Sequence, residues 1–169
     1  MNRNFRSLLE TKWAEGKFVC VGLDSEFGKI PESIRRQSIG RTILNFNEAI
    51  VDATKDVVCA YKPNIAFYEA YGEAGLRALG ETIDYIRKYA PDVPVILDAK
   101  RADIGNTNAG YVKATFEYLQ ADAITVHPYL GREALQPFLD CKDKGIIVLC
   151  RTSNLGADEF QDRDVMLTD

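Results

Sequence analysis

The stretch Val95-Ile96-Leu97-Asp98-Ala99-Lys100-Arg101-Ala102-Asp103-Ile104-Gly105-Asn106-Thr107 begins as an apolar strand and ends in two carboxylates and a lysine. Side chains alternate across a strand, so Asp98 and Lys100 are expected on one side, with Asp103 just beyond, where the chain turns into a helix. All three are expected to converge on one small volume. A lysine between two carboxylates is held as the ammonium, and the carboxylates as anions. That is a fixed proton donor in a negative field. It suits a reaction that expels a carboxylate beside the aspartates, builds a carbanion and then protonates it. The competing reading of an isolated Asp-x-Lys-x-x-Asp is a salt-bridged strand end that only orders the turn.

On either side of this stretch, apolar runs recur at Phe18 to Leu23, Val57 to Tyr61, Ala123 to Val126 and Ile146 to Cys150, with Val93 to Leu97 between them. Helical patterns separate them: Ser33 to Thr54, entered through Pro31-Glu32; Leu76 to Tyr89, stopped by Pro91 and Pro94; and Asn108 to Gln120. This is the βα rhythm of a parallel sheet, and the nearly continuous apolar runs predict strands covered on both faces. Polar residues gather at the strand ends: Asp24, then Lys62 and Asn64, then Asp98 and Lys100, then Thr152 and Ser153. That placement predicts an α/β fold of the (β/α)8 barrel type, whose active site lies at the carboxyl end of the strands. A closed barrel typically takes about 250 residues, so the 169 residues are expected to cover the first five of eight units as a single domain, 1–169.

A net charge of −4 with both signs interleaved offers no electrostatic footprint for nucleic acid or an anionic membrane, which leaves a small molecule as the expected partner. No apolar run approaches the roughly 20 residues of a membrane span, and Met1 to Arg6 lacks the apolar run of a secretory signal; a cytosolic protein is expected. Cys20, Cys59, Cys141 and Cys150 lack the paired spacing of a zinc site and read as reduced, mostly buried core residues.

Taken together, Gly22-Leu23-Asp24, Lys62-Pro63-Asn64, the run Leu97 to Thr107 and Arg151-Thr152-Ser153-Asn154 resemble the orotidine 5′-monophosphate decarboxylase family, in order and spacing. The resemblance implies cofactor- and metal-independent conversion of orotidine 5′-monophosphate to uridine 5′-monophosphate. It implies that Lys100 protonates the pyrimidine carbon losing its carboxylate, that Asp98 lies against that carboxylate, and that Lys62 joins the network and touches the ribose. Asp24 would accept from a ribose hydroxyl, while Asn64, Thr152 and Ser153 would approach the ribose or pyrimidine edge. In the family Asp103, Ile104 and Thr107 enter the neighbouring subunit's site, which implies a homodimer with shared sites. Family members hold the phosphate with groups after the seventh and eighth strands, absent from residues 1–169, so this stretch alone is expected to be inactive or very poor. The residue chemistry agrees: a carbanion with no cofactor to delocalise it relies on preorganised charge, here Lys62, Asp98, Lys100 and Asp103 titrating as a coupled set.

The nearest rival resembles the magnesium-dependent 3-keto-L-gulonate 6-phosphate decarboxylases, which share the signature but carry a glutamate ligand where this chain has Lys62, an ammonium without a lone pair. A rival of another class is a non-catalytic, nucleotide-binding half-barrel; its weakness is that binding alone has no need of a buried charge network. His127, the only histidine, reads as structural or loop-anchoring, Tyr68 and Tyr71 as core or interface aromatics, and Asp158 to Asp164 as a solvated loop. Gly105 and Gly110 make no dinucleotide fingerprint.

Overall fold

The computed structural model describes residues 3–36 and 38–164. Strands β1 (Val19–Gly22), β2 (Val58–Lys62), β3 (Ile96–Arg101), β4 (Ala123–Val126) and β5 (Gly145–Val148) alternate with helices. Helix α1 (Phe5–Ala14) precedes β1, α2 (Ile39–Thr54) follows it, and α3 (Ala66–Glu69) and α4 (Gly72–Tyr89) link β2 to β3. Helix α5 (Thr107–Val112) links β3 to β4, and α6 (Gly131–Leu139) links β4 to β5. Every pairing is parallel, and the bridges Tyr61 to Val95 and Asn64 to Asp98 join β2 to β3. Spatial order therefore follows chain order, as successive right-handed βα units of a (β/α) barrel require.

The core lies between strands and helices. Leu79, Ile83 and Ile86 recur at helical spacing along α4 and are buried with Ile43 and Val51 of α2 against Val58, Tyr61 and Leu97. At the amino ends of the strands the Arg3 guanidinium grips Asp122 through two 2.8 Å bonds, and Asp122 also accepts the Val95 N–H at 2.9 Å. That end is closed and braced, and the carboxyl ends are left for chemistry.

Several expectations need correction. Helix α2 starts at Ile39 rather than Ser33, because Ser38 Oγ caps it by accepting from the Arg41 N–H, while Glu32–Ile34 forms only a 3-10 turn after Pro31. Helix α4 starts at Gly72, whose φ of 55° lets the chain turn sharply out of α3. The helix expected over 108–120 widens from α into π geometry over Lys113–Tyr118, with Thr115 and Phe116 buried. The strands are not all covered: β2 and β4 are buried, but β1 and the end of β5 are exposed because each is the outermost strand of the described residues. For the same reason Cys20 and Cys150 are exposed rather than core, while Cys59 is buried and Cys141 half-buried. None of the described helices is long and apolar enough to cross a membrane.

Gly75 marks the tightest helix contact. A Cβ there would lie 2.0 Å from the Tyr68 carbonyl oxygen, where α3 meets α4. Gly75→Ala is expected to destabilise the fold by at least about 1–3 kcal/mol, through forced displacement of packed backbone. Urea unfolding at neutral pH measures it; unchanged stability would contradict so close an approach.

Candidate active site

The carboxyl ends of β1, β2 and β3 bring Asp24, Lys62, Asp98 and Lys100 together. Asp98 is the hub: its Oδ2 accepts from Lys62 Nζ at 3.1 Å and its Oδ1 from Lys100 Nζ at 2.6 Å. Lys62 Nζ also lies 3.9 Å from Asp24 Oδ1. The side chain of Asp98 is only 10 % exposed, against 32 % for Lys62 and 48 % for Lys100, so the anion sits at the bottom and both cations open outward. The Asp98 backbone is pinned to the segment after β2, its N–H donating to Pro63 O and its carbonyl accepting from Ile65 N–H.

Lys100 does not reach Asp98 by simple alternation. Register passes from Leu97 opposite Ile124 to Arg101 opposite Val126, so four steps of β3 advance against two of β4, and the strand bulges between. Lys100 sits in that bulge with φ 47°. A left-handed conformation in a residue with a Cβ costs on the order of 1–3 kcal/mol and persists only where surroundings over-determine it.

Asp24 is held at the end of β1 by accepting the Asn64 N–H at 3.1 Å. Beneath it lies a buried polar cluster: Tyr68 donates to Leu23 O at 2.7 Å, Asn47 Nδ2 donates to Tyr68 and Thr82 oxygens at 3.0 Å each, and Ser25 donates to Asn47 Oδ1. Burial pushes the Tyr68 hydroxyl well above its ordinary value. Tyr68 is thus a core residue, as expected, and it braces the loop that presents Asp24. Tyr71 packs edge-on against Phe27.

Asp103 is not brought into the network. Its Oδ1 accepts the Ile104 N–H at 2.7 Å, and the turn around it is fixed by buried Asn108, whose Oδ1 accepts the Asp103 N–H and whose Nδ2 donates to Asp103 O and Ala134 O. The bulge and this turn carry Asp103 away, and no ion pair joins it to a lysine among the described residues. The expected convergence of three groups is therefore, within this chain, a convergence of Asp98 and Lys100 with Lys62. Ile104 is 64 % exposed and Thr107 is exposed at the start of α5. Asn64 Oδ1 accepts from Ala66 N–H. Beyond β5, Thr152 bonds Asn154 and Gln161, Ser153 is exposed, and neither has a hydrogen bond to the charged cluster. His127 donates its backbone N–H to Arg101 O, but its buried Nδ1 meets no partner among the described residues.

Sequence reasoning missed Thr125. On β4, its Oγ1 lies 2.8 Å from Asp98 Oδ1 and 3.0 Å from the amides of both Ala99 and Lys100. The available signal was a single hydroxyl in an otherwise apolar buried strand.

Burial raises the Asp98 carboxyl, but hydrogen bonds from Lys100, Thr125 and Lys62 outweigh it and hold the pKa below its ordinary value. A depressed folded value contributes stability above the unfolded pKa of about 3.9 and loses it as pH falls through the folded value. The stability advantage of wild type over Asp98→Asn is therefore expected to be constant near neutrality and to shrink below about pH 4. Urea titrations at pH 7, 5, 4 and 3 test it; an advantage that grows on acidification would reverse the sign.

The family model described as "Orotidine 5'-phosphate decarboxylase / HUMPS family" matches residues 17–168. A curated orotidine 5′-phosphate decarboxylase of Thermomicrobium roseum is 52% identical over 163 residues, covering 96% of this chain and 56% of its own length. Its counterpart from Herpetosiphon aurantiacus is 52% identical over 143 residues, covering 85% of this chain and 52% of itself. The solved structure of Leishmania donovani OMP decarboxylase superposes with a TM-score of 0.83 at 37% identity, covering 96% of this chain and 59% of that one. The chain spans about half the length of the curated relatives it matches.

Proposed function

The chain belongs to the orotidine 5′-phosphate decarboxylase / HUMPS family, and from that membership we propose that its charged cluster decarboxylates orotidine 5′-monophosphate to uridine 5′-monophosphate without metal or organic cofactor. The observation that carries the reading is the buried Asp98 carboxylate with the Lys62 and Lys100 ammoniums opening outward above it. The bond from the pyrimidine carbon to its carboxylate breaks, carbon dioxide leaves, and the electron pair stays on that carbon. Lys100 Nζ supplies the proton that quenches the pair and regains one from solvent. Asp98 faces the departing carboxylate, so repulsion present in the ground state is relieved as charge moves to carbon, while the fixed ammonium favours the new charge distribution. Lys62 and Asp24 bind ribose hydroxyls, and Asn64, Thr152 and Ser153 approach the ribose or the pyrimidine edge.

Asp103, Ile104 and Thr107 take their part in this reading across a homodimer interface. Their support is that Asp103 has no lysine partner among the described residues and Ile104 and Thr107 are exposed. We place the enzyme in the cytosol, in pyrimidine nucleotide synthesis. Against the magnesium-dependent rival stands Lys62, which occupies the metal-ligand position with a cation bonded to Asp98.

The test is loss of orotidine 5′-monophosphate absorbance with the natural full-length polypeptide carrying this sequence, with and without a chelator. Activity indifferent to chelation supports the proposal; activity that needs added magnesium, or none with this substrate, overturns it.

A further inference from the structure

We propose that Thr125 is a positioning residue that sets both the Asp98 carboxylate and the backbone turn at Lys100; this rests on the decarboxylase reading above and deepens it. Thr125 is 7 % exposed, on the strand beside β3. A hydroxyl has one proton and two lone-pair directions. The Ala99 and Lys100 amides, each 3.0 Å from Oγ1, can only donate, so they occupy the lone pairs. The hydroxyl proton then has one destination, Asp98 Oδ1 at 2.8 Å. The orientation of the hydroxyl is thereby determined by its partners, with no spare donor or acceptor.

The same oxygen accounts for the bulge. Between Leu97 and Arg101 the ladder to β4 is interrupted, and without Thr125 the Ala99 and Lys100 amides in the gap, one buried and one partly buried, would lose their partner. Two consecutive N–H groups converging on one oxygen curl the chain locally, which is the surrounding that holds Lys100 at φ 47°. Thr125 thus aims the ammonium from behind and orients the carboxylate that faces it. It acts through Asp98 and Lys100. Branching at Cβ limits its rotamers and keeps the oxygen on this heading.

The test compares Thr125→Val, which keeps shape and removes the hydroxyl, with Thr125→Ser, which keeps the hydroxyl, in the natural full-length polypeptide. Thr125→Val is expected to lower kcat about 10- to 100-fold with KM altered less than about threefold, and Thr125→Ser to restore kcat to within about threefold of wild type. Wild-type kcat in Thr125→Val, or equal impairment in both variants, overturns the proposal. An activity-independent arm follows Asp98 by carboxyl-carbon NMR titration: an upward midpoint in Thr125→Val alone supports the role, and identical midpoints refute it. Wild type that does not decarboxylate defeats the functional reading, and the titration then decides Thr125 separately. Should Thr125→Val fail to fold by circular dichroism, Thr125→Cys, with a weak donor of similar size, takes its place in both arms.

Discussion

Lys100→Ala is expected to lower the rate of orotidine 5′-monophosphate decarboxylation by about 10²–10⁴-fold, with a smaller change in KM. Among the described residues its side chain is the one cation that bonds Asp98 Oδ1, and it lies half-exposed at the mouth of the strands. Removing it deletes the proposed proton donor and leaves Lys62 on the opposite oxygen of Asp98. Lys62 cannot substitute, because it enters from a different strand and sits between Asp98 and Asp24. Stability is expected to fall only slightly, by about 0–1 kcal/mol, since a half-exposed ion pair to Asp98 is lost while Lys62 and Thr125 still hold the carboxylate. Progress curves beside thermal unfolding separate the two effects. A variant that keeps most of its turnover would show that the proton comes from elsewhere and that the cluster has been misread.

Asp98→Asn is the second large effect, and it strikes stability and turnover together. The carboxylate collects Lys62, Lys100 and the Thr125 hydroxyl in a place where little water reaches it. An amide in its position leaves two cations without the anion between them and presents N–H to one group that only donates. Removing one partner of a fully buried pair costs several kcal/mol; both lysines here are partly exposed, so the expected loss is about 1–3 kcal/mol at pH 7. Turnover is expected to fall at least about 10²-fold, since the group proposed to face the departing carboxylate loses its charge. Denaturation midpoints at neutral pH and rates at saturating substrate measure the two losses. Equal stability of variant and wild type would mean that the lysines find other anions.

The barrel arrangement was legible because its cause is crude: buried parallel strands need unbroken apolar runs, and polar groups at their carboxyl ends stand out against them. The pairing of Asp98 with Lys100 was legible for the same reason. What escaped depended on geometry that composition does not encode. Alternation put Lys100 beside Asp98 by the wrong route, since the actual approach runs through a bulge. Asp103 has the spacing of a third network member, but the buried Asn108 amide ties its turn elsewhere. Thr125 drew no reading of its own, because nothing in the string Ala123-Ile124-Thr125-Val126 says that two amides from the next strand lack partners. Helix α6 was hidden by Pro137 near its end, and Cys20 and Cys150 were misjudged because burial on an outer strand depends on its neighbour rather than on its own residues.

The left-handed backbone at Lys100 has a consequence for anyone engineering this protein for heat resistance. A search guided by backbone geometry would rank glycine at position 100 among its best substitutions, since glycine adopts that conformation freely. The same change would erase the ammonium on which the proposed chemistry turns. Thermal robustness and turnover are thus drawn apart at one residue, and a library selected only for survival at high temperature is expected to be enriched in inactive molecules altered at this position.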